Sequence, residues 1–111
     1  MASQRGLVTV ASCAAYCAPK AAEVDLTRAV AIEHAADGIR ANGLCPRPTD
    51  TPMPEGPIEQ GANPDAEHQR LVGTQLHGRF IHPSEIADAI AWLASPNAGS
   101  TSGTALVVGG A

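Results

Sequence analysis

Six prolines fall within residues 46–64, and this cluster constrains the fold more than any other feature of the sequence. Each proline lacks a backbone N–H and fixes φ, so neither a helix nor a central strand can continue through the stretch. Loops of this length inside a small domain are typically binding loops, lids or disordered segments. We therefore expect residues 46–64 to be a long loop within a single domain that spans 1–111.

Composition excludes several classes of protein. The chain has 111 residues, which corresponds to one domain, and it carries a net charge of −4 with only seven Lys and Arg. This charge argues against a broad phosphate-binding surface, so we expect no nucleic-acid partner. No apolar run approaches the ~18 residues of a membrane span, and residues 1–5 do not resemble a signal peptide. Three cysteines, an odd count, favour a reducing compartment, and we expect a cytoplasmic protein.

Hydrophobic periodicity predicts strands that alternate with helices. Such alternation is typical of βαβ units, so we expect parallel pairing and helices on both faces of the sheet. The predicted fold class is α/β, a partial three-layer Rossmann-like sheet of about three strands. The predicted strands are 6–11, 39–45 and 104–108, and the predicted helices are 17–36 with Gly38 as its cap, 65–76, and one that starts at Pro83 and ends before Pro96.

Tyr16 and Lys20 are four residues apart near the start of the first predicted helix, so their side chains can share one face. A phenol normally ionises near pH ~10, and an adjacent ammonium favours the phenolate, which suits proton transfer near neutral pH. Ser12 precedes them at the carboxyl end of the first predicted strand, where open α/β sheets bind ligands. Since Tyr-x-x-x-Lys occurs often by chance, a solvated surface pair is the alternative.

Several blocks of the sequence, in order along nearly the whole chain, resemble the second half of a short-chain dehydrogenase/reductase. They are Val8-Thr-Val-Ala-Ser12, Tyr16-Cys-Ala-Pro-Lys20, Leu26-Thr-Arg-Ala-Val-Ala-Ile-Glu-His34, Gly38-Ile-Arg-Ala-Asn42, Cys45-Pro-Arg-Pro-Thr-Asp-Thr-Pro-Met53, Pro83-Ser-Glu-Ile-Ala-Asp-Ala-Ile-Ala-Trp-Leu-Ala-Ser95 and Gly103-Thr-Ala-Leu-Val-Val108.

This resemblance implies NAD- or NADP-dependent interconversion of a small alcohol and a carbonyl compound. It implies that Tyr16 is the general acid/base, that Lys20 lowers the tyrosine pKa and binds the nicotinamide ribose, and that Ser12 orients the substrate oxygen. Because the cofactor carries the hydride, the protein supplies position and proton transfer. Residues 46–64 would form the substrate loop, and the cofactor-binding residues would be Tyr16, Lys20, Pro46, Thr49 and Thr51.

The sequence also departs from the family pattern. It contains no G-x-G-x-x-G turn, so no helix N-terminus is marked for a dinucleotide diphosphate. Ser12 and Tyr16 are closer in sequence than the family's serine and tyrosine usually are, Arg47 stands where the family favours glycine, and Gly109 stands where an aspartate is frequent. The rival hypothesis is therefore a truncated, non-catalytic remnant or oligomerisation module that does not bind dinucleotide.

Two further features leave alternatives open. Cys13 and Cys17 have i, i+4 spacing that suits a metal or redox pair, although small buried thiols are the commoner reason for such cysteines. The four histidines have no metal-ligand spacing, so we expect no metal. The alanine-rich first helix could pack against its copy in a homo-oligomer or against the core of its own domain.

Overall fold

The structure, a computed structural model, describes residues 1–51 and 63–110. Within these residues β1 and β2 form a parallel two-stranded sheet, with Gly43 opposite Ala105 and Pro46 opposite Val108. Short 3₁₀ turns lie at Gln4–Gly6, Ala35–Asp37 and Pro96–Ala98. The α-helices and strands are α1 (Ala14–Glu33), β1 (Gly43–Pro46), α2 (Pro64–Gly73), α3 (Pro83–Ala94) and β2 (Ala105–Val108).

The two faces of this small sheet are covered by different helices. Successive strand residues point to opposite faces, so neighbouring positions on β1 enter different clusters. Cys45 packs with Val24 of α1, whereas Leu44 packs with Ile86 of α3. This arrangement confirms a partial α/β fold with helices on both faces.

The predicted strand at 6–11 is wrong, and the described sheet has two strands instead of three. Gln4–Gly6 forms a 3₁₀ turn against α1, and Leu7, Val8 and Val10 remain 41–49% exposed. A strand persists only where its N–H and C=O groups find partners in a neighbouring strand, and residues 7–11 pair with no strand among the described residues. The β-branched residues favour a strand, but this propensity takes effect only where a partner strand is in place.

Small residues explain how the N-terminal segment packs. Ala2 is buried in one cluster with Val24 and Cys45. Gly6 lies so close to α1 that an added Cβ would collide with the carbonyl group of Lys20. The segment therefore covers α1 and β1 through its smallest side chains, while the larger apolar residues that follow stay exposed.

The second predicted strand exists but is shorter than residues 39–45. Asn42 connects this part of the chain to the loop before β2, because its Nδ2 donates to the Thr101 carbonyl oxygen at 2.9 Å. Its Oδ1 accepts from the Thr104 N–H at 3.2 Å. These side-chain bonds replace a regular ladder, so β1 starts only at Gly43.

Helix α1 begins earlier than predicted. The Cys13 carbonyl accepts from the N–H groups of Tyr16 and Cys17, so the first turn closes before Pro19, which lies inside the helix. The predicted start at residue 17 is therefore three residues too late, and Pro19, which disfavours helical geometry in the residue before it, is accommodated inside α1. At the other end α1 stops at Glu33 with His34 as its C-cap, earlier than the predicted residue 36, and Gly38, with φ of +74°, caps the 3₁₀ turn that follows.

The remaining helices are confirmed with small changes of boundary. Helix α2 ends at Gly73 instead of continuing to Leu76, and α3 starts at Pro83 as predicted. A capping box closes the start of α3, because the His82 side chain accepts from backbone N–H groups while the Glu85 carboxylate accepts from the His82 N–H. Most of the predicted proline-rich loop, residues 52–62, lies outside the described residues.

Candidate functional site

Tyr16 lies in the first turn of α1 and is 52% exposed. Its backbone N–H and that of Cys17 both bond to the Cys13 carbonyl, at 3.1 and 2.8 Å. The helix start therefore fixes the backbone of Tyr16 while its ring remains accessible. A half-exposed phenol on a fixed backbone can reach a small molecule at the surface.

Lys20 follows one helical turn later, and its Nζ lies 5.9 Å from the centre of the Tyr16 ring. This separation is within the range of cation–π contact. The structure thus brings together Tyr16 and Lys20, two of the three residues that the sequence predicted as catalytic.

The Lys20 ammonium has two further partners that the sequence did not predict. Its Nζ donates to Glu23 Oε1 at 2.5 Å and to the Met1 carbonyl oxygen at 3.3 Å. The hydrogen bond from Lys20 lowers the pKa of Glu23 below its usual value, and the same bond raises the pKa of Lys20. The i, i+3 spacing of Lys20 and Glu23 was a readable signal for this ion pair.

Ser12, the third predicted catalytic residue, precedes the helix in an unusual backbone conformation. Its φ of +64° is the one positive φ of a non-glycine residue in the described part of the chain. Non-glycine residues adopt this left-handed region at an energetic cost of about 1 kcal/mol. No hydrogen bond joins the Ser12 and Tyr16 side chains, both of which are described, so the structure does not assemble a Ser–Tyr pair.

The predicted cofactor-binding residues of the second block lie where β1 ends. Pro46 closes the strand, and Thr49 forms an isolated parallel bridge with Ile81. The Thr49 hydroxyl donates to the Arg47 carbonyl oxygen at 3.0 Å, whereas Thr51 is exposed. Open α/β sheets place ligands at the carboxyl ends of their parallel strands, and these residues lie at such an end. Their role in cofactor binding stays a prediction.

Two departures from the family pattern have structural explanations here. The Arg47 guanidinium donates to Gln75 Oε1 at 2.9 Å and to the Thr74 carbonyl at 3.0 Å, so it fastens the end of β1 to the segment after α2. Gly109 has φ of +109°, and an added Cβ would lie 2.5 Å from Ile81 Cδ1. An aspartate is therefore poorly accommodated at position 109.

A surface concavity of about 380 Å³ near the carboxyl end of β1 has no counterpart in the sequence predictions. At its wall the rings of His68 and Phe80 contact each other with centroids 4.6 Å apart, and Arg79 is neutralised by Glu85 through two bonds of 2.7 and 2.9 Å. The lining residues are Asp50, His68, Gln69, Val72, Gly78, Arg79, Phe80 and His82.

Two searches of residues 1–51 and 63–110 gave negative results. No helix there combines the length and hydropathy that crossing a bilayer requires. No group of three or more His, Cys, Asp or Glu side chains could share a metal ion in this part of the protein. The three cysteines carry free thiols, and those of Cys17 and Cys45 are buried.

Comparison with known proteins gives consistent matches. A family model described as enoyl-(acyl carrier protein) reductase matches residues 1–110. The inactive 2-(S)-hydroxypropyl-CoM dehydrogenase 2 of Xanthobacter autotrophicus is 41% identical over 109 residues, which are 97% of this chain and 47% of that protein. Meso-2,3-butanediol dehydrogenase of Serratia marcescens is 38% identical over 109 residues, which are 98% of this chain and 41% of that protein.

A solved structure of a substituted actinorhodin polyketide ketoreductase with NADPH superimposes with a TM-score of 0.89 at 32% identity, covering 98% of this chain and 44% of that one. The parallel strands, the flanking helices and these matches define a partial Rossmann-like α/β protein of the oxidoreductase class. The chain belongs to the short-chain dehydrogenase/reductase family. It spans less than half of the length of the relatives described above.

The described residues fit one end of a nicotinamide dinucleotide. Two N–H groups of the Lys20 ammonium are used by Glu23 and Met1, which leaves one N–H for a ribose hydroxyl. The exposed Thr51 hydroxyl can serve as a further donor. For the diphosphate, the sequence contains no glycine-rich turn that would present backbone N–H groups.

Proposed function

We propose that Tyr16 and Lys20 are the proton-transfer residues of an NAD- or NADP-linked oxidoreductase that interconverts a small alcohol and a carbonyl compound. The observation that carries this proposal is the placement of the Lys20 ammonium 5.9 Å from the Tyr16 ring, with the phenol half exposed. The proposal also rests on family membership, since the Serratia relative is named a dehydrogenase and the structural neighbour a ketoreductase, whereas the Xanthobacter relative is named inactive.

In this proposal the Tyr16 phenolate takes the hydroxyl proton of an alcohol while the carbon-bound hydrogen leaves as hydride. The reverse reaction returns the proton from the phenol to the carbonyl oxygen. A bound nicotinamide supplies or accepts the hydride. In this proposal the Lys20 ammonium, 5.9 Å from the centre of the ring, would stabilise the negative charge that develops on the phenol oxygen. One remaining N–H of Lys20 would hold the nicotinamide ribose.

The other predicted residues complete the proposed site. Ser12 would orient the substrate oxygen from the turn before α1. At the carboxyl end of β1, Pro46 can offer only its carbonyl group, while Thr49 and Thr51 can offer hydroxyls to the cofactor. Residues 46–64 would form the substrate loop. The free thiols support a reducing compartment, and we place the protein in the cytoplasm.

The test is turnover by the 111-residue chain at millimolar NADH or NADPH with a panel of small ketones, followed at 340 nm. Tyr16→Phe keeps the ring and removes the proton carrier, so we expect a loss of about 10²-fold or more. Trp92→Phe is the matched control, since it changes an aromatic residue on α3 and should leave turnover unchanged. Activity that survives Tyr16→Phe would show that the family role does not apply here.

A second candidate function is an interaction module that lacks catalysis. The observation that favours it is the exposure of large apolar side chains on α1, with Leu26 at 64% and Ile32 at 79%. Its partner would be a second copy of the chain. If wild type shows no turnover and no dinucleotide binding but does self-associate, this candidate replaces the enzyme.

A further inference from the structure

Tyr16, Lys20 and Glu23 follow one another at i, i+4 and i+7 on α1, which places them along a single face of the helix. Lys20 is the only lysine and Tyr16 the only tyrosine in the chain. The Lys20 side chain is 23% exposed and that of Glu23 is 39% exposed, so solvent only partly screens their ion pair.

Besides its hydrogen bond to the Met1 carbonyl oxygen, the Lys20 ammonium has two side-chain contacts on α1. The Glu23 carboxylate, one turn after Lys20 on α1, accepts from Nζ at 2.5 Å. The Tyr16 ring, one turn before Lys20, has its centre 5.9 Å from the same nitrogen. A lysine side chain has several rotatable bonds, so its free ammonium would sample many positions. The bonds to Glu23 and to the Met1 carbonyl restrict this sampling, and in the resulting position the ammonium lies within cation–π range of the phenol ring.

We propose that Glu23 is a positioning residue for Lys20, one that fixes the ammonium beside Tyr16 and limits how strongly its positive charge favours the phenolate. This inference deepens the proposed function and rests on it for its catalytic meaning. The physical claim concerns only the three side chains, so it can be tested without turnover.

The direction of the effect follows from charge. The negative carboxylate of Glu23 opposes ionisation of the phenol and offsets the positive charge of Lys20. Glu23→Gln removes the negative charge but keeps an oxygen that can accept from the ammonium. Tyr16 should therefore ionise at lower pH in this variant than in wild type.

Other titratable groups near the pair are common to every variant. They are the N-terminal amino group, 3.7 Å from Glu23 Oε2, and the Cys45 thiol, whose pKa the charges of Arg28 and Glu23 both influence. The burial of Cys45 raises the pKa of its thiol. Comparison between variants, rather than an absolute midpoint, isolates the part that Glu23 contributes.

The experiment is a spectrophotometric titration of tyrosinate absorbance at 295 nm in the full 111-residue chain at low ionic strength. Since the chain has one tyrosine, the absorbance change reports Tyr16 alone. We expect Glu23→Gln to lower the midpoint by about 0.3 pH unit, and Lys20→Met to raise it by a similar amount. Glu23→Asp, which restores the charge, should bring the midpoint back toward that of wild type.

Glu33→Gln is the matched control, because it removes the same charge from the same helix thirteen residues further along, roughly 20 Å from Lys20. Far-UV circular dichroism must show equal helix content in each variant compared. Equal tyrosinate midpoints in Glu23→Gln and Glu33→Gln would overturn the inference. A midpoint that is the same in Lys20→Met as in wild type would overturn it as well. Loss of turnover in Tyr16→Phe tests the proposed function separately, so the two can fail independently.

Discussion

Leu44 and Cys45 are neighbours on β1, yet their side chains belong to different hydrophobic clusters on opposite faces of the sheet. Leu44 packs with Ile86 of α3, and Cys45, which is fully buried, packs with Val24 of α1. One dipeptide therefore connects the two helix layers. Because the described sheet has only two strands, each of these side chains carries a large share of the packing on its face.

Truncation of Leu44 should be severe. Leu44→Ala removes a buried side chain that is 4% exposed, and such changes cost about 2–5 kcal/mol. That loss is comparable with the whole free energy of unfolding of a small domain. Urea unfolding followed by circular dichroism at 222 nm should show a lower midpoint or no cooperative transition. Leu26→Ala, at a position that is 64% exposed, should leave the midpoint nearly unchanged, and equal effects of the two would contradict this packing.

The Glu85 carboxylate should make stability depend on acidic pH. Its bonds from Arg79 and from the His82 N–H lower the pKa of Glu85 from 4.5 to about 2. Since the folded pKa is depressed, the stabilisation is complete above pH 4.5 and is lost as pH falls toward 2.

Thermal melts between pH 5.5 and 2.5 measure this effect. Glu85→Gln should lower the Tm at pH 5.5 and should flatten the dependence of Tm on pH below 4.5. Glu33→Gln, a change of the same kind at the end of α1, should keep the wild-type slope. An unchanged slope in Glu85→Gln would show that this carboxylate does not contribute.

Dinucleotide affinity should be low. The sequence has no G-x-G-x-x-G turn for the diphosphate, and the Lys20 ammonium already donates to Glu23 and Met1. Calorimetric titration of the 111-residue chain with NADH or NADPH is expected to show no binding in the micromolar range. Micromolar affinity for either dinucleotide would mean that other residues supply the diphosphate site.

Self-association is expected because large apolar side chains remain exposed. On α1, Leu26 is 64% and Ile32 is 79% exposed, and the unpaired residues 7–11 add Val8 at 49%. Large apolar side chains that remain exposed to solvent favour contact between copies or aggregation. Sedimentation velocity should show dimers or larger species, which Leu26→Gln should reduce. A monodisperse monomer with a sharp, cooperative transition at high temperature would contradict the expectation.

The helices could be predicted from sequence because their signals are local. Pro83 at the first position and the i, i+4, i+7 spacing of Ile86, Ile90 and Leu93 predicted α3, and Gly38 marked the end of the region that follows α1. The same holds for the closeness of Tyr16 and Lys20. Four residues along a helix place Tyr16 and Lys20 one turn apart, whatever surrounds them.

Prediction from the sequence failed where the secondary structure of a residue depends on a partner that is distant along the chain. Residues 7–11 have the composition of a strand, but a strand requires a neighbouring strand to pair with. The residues of the segment do not show whether such a partner is present. Likewise, Asn42 shortens β1 through bonds to Thr101 and Thr104, which are about sixty residues away.

The sequence by itself determined the helices and the placement of a phenol beside an ammonium, because periodicity and short spacing act within one or two turns. The family followed separately, from the resemblance of several motif blocks along the chain. Only the tertiary structure decided that two strands pair among the described residues and that Ala2 and Gly6 occupy the surface of α1 and β1. It also decided that the Met1 carbonyl reaches Lys20. These contacts join residues far apart in the chain, and their free energy depends on packing that no local pattern encodes.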